Sequence, residues 1–116
     1  MPNEAAAKGL ALRVDRSGDQ VVVQCSGRLV AGVNEHLYSE VRPLIPDSKR
    51  IVLDLTELTN MDSMGLGTIV RLYVSAKSAG CELRLIHIVP RIQKMLGVTQ
   101  LLTVLASVGE TGISYL

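Results

Sequence analysis

The densest run of chemistry-bearing residues in the chain is Asn60-Met61-Asp62-Ser63-Met64-Gly65-Leu66-Gly67. It follows an apolar run and precedes a long helical pattern, which places Ser63 at a helix N-terminus. Two chemistries suit that position. A short Asp or Ser side chain caps the first free N–H groups of a helix, and glycines in the first turn allow close packing. Those same N–H groups, with the positive end of the helix dipole, also favour an anion such as a phosphate carried on a hydroxyl. On spacing alone the first reading is the commoner, with Asp62 or Ser63 as the N-cap.

Other residues offer less. Asp54 at a strand end could ligate or pair, but a strand-end cap is the commoner reading. His36 and His87 have no companions at ligand spacing, so no metal is expected. Gly65-x-Gly67 lacks the longer glycine patterns of phosphate-cradling loops. Neither Ser63, Cys25 nor Cys81 has a recognisable base partner, which argues against nucleophilic catalysis. The chain is read as non-enzymatic and without a cofactor.

The elements that must hold this segment follow from hydrophobic period. Residues 1–9 are Ala-rich and polar and read as a loose leader before one domain spanning 10–116. Leu10, Leu12 and Val14 alternate with Ala11, Arg13 and Asp15, Ser17-Gly18-Asp19 supplies a turn, and the run from Val21 ends at Gly27, with Leu29 and Val30 either extending the strand or beginning a loop. The strands 10–14 and 21–25 are therefore expected as a hairpin. Asn34 is the expected cap of a helix whose apolar face is Leu37, Val41, Leu44 and Tyr38, and which Pro43 ends or kinks near Arg42. A buried strand is expected over 50–55, then the helix over 64–79, carrying Leu66, Ile69, Val70, Tyr73, Val74 and Ala76, with Gly80 as its stop. A strand over 82–88 should carry Leu83, Leu85 and His87 on one face. A helix over 91–96 and a last strand over 112–115 complete the pattern. Strands alternating with helices imply an α/β fold: a single mixed, mostly parallel sheet with helices packed on it.

Composition narrows the class. The chain has 116 residues, 47% apolar and 20% charged, enough for one folded domain. Net charge is +1, basic residues form no run, and there is no Trp or Phe, so nucleic acid is not an expected partner. Two widely separated cysteines in apolar runs suit free thiols in a reducing compartment. Met1-Pro2-Asn3-Glu4 does not open a signal peptide, and no apolar stretch approaches a membrane span. A cytoplasmic location is expected.

The run Met61 to Gly67, set after Ile51-Val52-Leu53-Asp54-Leu55 and before Gly80-Cys81-Glu82-Leu83, resembles the STAS domain. More narrowly it is similar to the bacterial anti-sigma-factor antagonists, and the likeness extends over nearly the whole chain from about residue 10. The resemblance implies a partner switch. Ser63 would be phosphorylated by a serine kinase that is itself an anti-sigma factor. The unphosphorylated form would bind that kinase, and a serine phosphatase would reset the switch.

The same resemblance places Asp62, Ser63, Met64, Gly65 and Leu66 on the docking surface, with Arg28, Val30 and Gly32 beside them. A phosphate adds roughly −1.5 to −2 charges and would exclude the partner by bulk and charge. Two positions depart from the family pattern. Arg28 and Val30 stand where acidic residues are common, and Met64 stands where a small residue is common. Alternatives keep the fold and change the role: a scaffold in a stress-signalling assembly, a soluble part of a membrane-transport system, or a nucleotide or lipid sensor. A weak homodimer is compatible with any of these.

Overall fold

The structure, a computed structural model, describes residues 3–7, 9–88 and 90. Alternating burial builds its sheet. Strand β2 (Leu10–Ser17) buries Leu10 and Leu12 and exposes Ala11 and Arg13, while β3 (Gln20–Leu29) buries Val21, Val23, Cys25 and Leu29. They form the expected hairpin, with Ser17 paired to Gln20 across a turn whose Gly18 has φ of +62°. Strand β4 (Arg50–Met61) and β5 (Glu82–Ile86) bury Ile51, Leu53, Leu55, Leu83 and Leu85.

Helix α1 (Asn34–Val41) joins β3 to β4, and α2 (Ser63–Ser78) joins β4 to β5. Both are crossovers between parallel neighbours, stepping across the sheet in the same direction. Right-handed crossovers that step the same way lie on the same face. Leu37 and Val41 of α1 and Leu66, Ile69, Leu72 and Ala76 of α2 accordingly share one core with the inward residues of β2–β5. Burying each such side chain stabilises the fold by about 1.5–3 kcal/mol.

Several expectations change. The leader contains a strand, β1 (Asn3–Ala7), antiparallel to β2 with Ala7 opposite Leu10. Without it the outer edge of β2 would offer unpaired backbone groups, and backbone pairing does not need strong strand-forming side chains. The sheet is mixed, as expected, but its pairings divide evenly: β1-β2-β3 antiparallel and β3-β4-β5 parallel.

Gly27 does not end β3. Its φ of +102° sits beside a register shift, and a Cβ there would collide with the Gly9 carbonyl. Asn34 is no cap: it is buried as the first residue of α1, and its Nδ2 donates to Thr68 Oγ1 at 3.0 Å. Pro43 acts as expected, since α1 stops at Val41 and a 3₁₀ turn, Arg42–Asp47, follows. The expected helix 91–96 and strand 112–115 lie outside the described residues.

Candidate functional site

The expected site assembles at the C-terminal ends of β3 and β4, where ligands of parallel α/β sheets commonly bind. β4 runs six residues beyond the expected 55 because its tail keeps pairing with β3, Leu58 opposite Gly27 and Met61 opposite Leu29. That pairing carries Asp62 beside the loop that leaves β3.

Asp62 is the N-cap of α2. Its Oδ1 accepts from the Met64 and Gly65 amides, each at 3.0 Å, and the Leu66 amide donates to its carbonyl at 3.0 Å. Its Oδ2 accepts from the Ala31 amide at 2.9 Å, which ties the helix start to the 30–33 loop. The Ala31 amide is the main cause holding this carboxyl below its usual 3.8; slight burial opposes it, and the Gly65 and Met64 amides add to it.

Ser63 is the first residue of α2 and is exposed, and Met64 beside it is 53% exposed. Arg28 and Gly32 are also exposed, and Val30 is half-buried. Gly65 and Leu66, expected on the docking surface, are instead buried. A Cβ on Gly65 would fall within the Leu29 carbonyl oxygen, so this glycine serves the close approach of α2 to β3. Gly67 has open space around the position of a Cβ, so packing does not explain it.

Of the two readings of the helix start, the structure bears out the cap, with Asp62 in that place. The Met64 and Gly65 amides are bonded to its carboxylate, so an anion on Ser63 sits beside a fixed negative charge.

A second polar cluster lies on the sheet face opposite the helices. Asp54 is not a strand-end cap but sits within β4, where its Oδ1 accepts from Thr56 N at 3.0 Å and Thr56 Oγ1 at 2.6 Å. His87 Nδ1 lies 3.1 Å from the same oxygen. His87 falls past the end of β5 in the left-handed region, φ +55°, so it does not continue the Leu83–Leu85 face as expected. Gln24, Cys25, Ser26, Asp54, Thr56, Glu57 and His87 line a shallow hollow of about 220 Å³. Burial raises the Asp54 carboxyl, but the Thr56 and His87 hydrogen bonds outweigh it, leaving it below 3.8. The sequence set residues 28–32 beside the helix start and left Asp54 open to pairing, but it gave no sign of the Ala31 amide contact or of His87 as the partner. An amide contact carries no side-chain signal, and His87 is turned by a backbone conformation unusual outside glycine.

The two strand ends of this α/β module thus present an exposed serine and an exposed methionine side by side. The chain belongs to the STAS-domain family, whose sequence profile matches residues 11–111. Among solved structures it is similar to a putative anti-sigma factor antagonist from Thermotoga maritima: 21% identity, 90% of this chain and 85% of that one, TM-score 0.75. It is also similar to the phosphorylated form of the Bacillus cell fate determinant SpoIIAA, at 16% identity over 90% of each chain, TM-score 0.68. A sulfate transporter family protein from Wolinella succinogenes matches at 17% identity over 87% of this chain and 80% of that one, TM-score 0.68. At these identities the likenesses establish the fold. Among the described residues no helix is long and apolar enough to cross a membrane.

Proposed function

We propose that this chain is an anti-sigma-factor antagonist that works as a phosphorylation-controlled partner switch in the bacterial cytoplasm, with Ser63 as phosphoacceptor. Its unphosphorylated form binds an anti-sigma factor with serine kinase activity and so regulates transcription. A serine phosphatase resets it. The chain serves as substrate and ligand, while ATP and catalysis belong to the kinase.

The observation that carries this reading is the setting of Ser63: exposed at the first position of α2, beside exposed Met64 and the exposed loop residues Gly32 and Ala31. A kinase can reach the hydroxyl, and a partner covering this face would bury it. A phosphate adds roughly −1.5 to −2 charges. It gains no free Met64 or Gly65 amide, because Asp62 holds both. The phosphate therefore projects at the partner, and exclusion by bulk and charge is the simplest mechanism. A pull-down from source lysate with wild type, Ser63→Ala and Ser63→Asp tests it. A kinase-type ATPase should be retained by the first two baits and lost by the third. Identical retention by all three would reduce Ser63 to a surface residue.

A second reading, a STAS module within a membrane-transport assembly, is favoured by the likeness to the sulfate transporter family protein. It is also favoured by Arg28 and Val30, which leave the loop beside Ser63 without acidic side chains of its own. Co-purification with membrane subunits would select it.

A further inference from the structure

The proposed docking face comes from two chain segments that are distant in sequence, the loop 30–33 after β3 and residues 62–64 after β4. A partner that reads both binds best when their relative position is fixed beforehand, since ordering a loop on binding weakens affinity. Backbone contact already holds one side: the Asp62 amide donates to Leu29 O at 3.3 Å, and the Val33 and Asn34 amides close a turn on Val30 O. The Ala31 amide, at the exposed crest of that turn, has the Asp62 Oδ2 as its acceptor.

We propose that Asp62 is a positioning residue, whose two carboxylate oxygens divide the work: Oδ1 caps α2, and Oδ2 latches the 30–33 loop to the helix start. Asp62 thus acts on a partner through Ala31 and its neighbours, and not by touching the partner itself. The inference rests on the docking reading above only for its consequence in binding. The latch itself is independent of any partner.

Asp62→Asn separates the two oxygens. One amide oxygen can still accept from Met64 and Gly65, and Asn caps helices about as well as Asp. The amide NH₂ then faces the Ala31 N–H, donor against donor, and the latch is lost. Asp62→Ser likewise caps α2 but is too short to reach both segments. Amide hydrogen exchange read by NMR should show Ala31 exchanging about tenfold faster in both variants, with Met64 and Gly65 changed by less than about threefold. Unchanged exchange at Ala31, or an equal rise at all three amides, would overturn the latch. The binding arm uses the kinase-type protein that the wild-type bait retains. Both variants should bind it about tenfold more weakly with Ser63 intact, and wild-type affinity in both would remove the positioning role. If the wild-type bait retains no such protein, the partner-switch reading fails, and the exchange data alone decide the latch.

Discussion

Asp62 and Asp54 are both carboxylates held by three hydrogen bonds and both are held below the usual carboxylate pKa range, yet they solve different problems. Asp62 takes only backbone amides, from Ala31, Met64 and Gly65, and spreads them over both oxygens. Asp54 gathers Thr56 N, Thr56 Oγ1 and His87 Nδ1 on one oxygen. Amide donors do not titrate, so the Asp62 arrangement holds across the physiological range. The Asp54 cluster instead relies on side-chain donors, the Thr56 hydroxyl and the His87 imidazole, beside a single amide. The helix start proposed for docking is therefore tied by backbone amides, and the side-chain cluster sits on the opposite sheet face.

The largest effect should come where neither carboxylate can compensate. Gly65→Ala pushes a methyl into the Leu29 carbonyl and should cost about 3 kcal/mol, measured by urea unfolding. A loss below about 0.5 kcal/mol would mean α2 can shift away from β3 freely. Next, Asp54→Ala should cost about 1.5 kcal/mol, because its side chain is only 13% exposed and three hydrogen bonds are lost, while the exposed Thr56 and His87 turn to water. Asp62→Ala, at a more open cap, should cost about 1 kcal/mol. Reversal of that order in parallel denaturation curves would break the contrast.

Acid sharpens it. Both carboxyls are depressed in the folded state, so their stabilisation is complete above the unfolded value, near 3.8, and is lost as pH falls through the lower folded values. Neither carboxyl should contribute a pH slope to thermal melts above about pH 5, and the wild type should fall away below about pH 4. The double variant Asp54→Asn, Asp62→Asn should show a shallower acid limb. Smallest of all, Met64→Ala should change stability by less than about 0.5 kcal/mol, since the side chain is 53% exposed, while weakening partner retention.

Much of the scaffold was legible because it depends on side-chain period. Leu10 and Leu12, Val21 and Val23, and Leu83 and Leu85 face the core as their alternation requires, and Gly80 at φ +74° stops α2. α2 was read less fully: Leu66, Ile69, Tyr73 and Ala76 are buried, but Val74 is 56% exposed. The site was legible at Asp62 and Ser63, whose types match a helix start. What escaped depends on backbone. β1 is built from alanines that pair through amides, Gly27 bends a strand that it was expected to end, and Asn34 looks like a cap until Thr68 comes within reach. Gly65 and Leu66 were placed outside for their neighbours in sequence, and Leu29, thirty-six positions before Gly65, puts that glycine inside.

Cys25 and Cys81 are free and buried at 1% and 4% exposure, and burial with the Asp54 charge pushes the Cys25 thiol up to about 12. Burial raises the Cys81 thiol as well, so both sulfurs are poor nucleophiles in the folded state. Each cysteine thus serves as a reporter: a thiol reagent added to the native protein should mark opened molecules first. Because Cys25 lies in β3 and Cys81 immediately before β5, comparing their labelling rates would time whether the two ends of the parallel half come apart together or in turn.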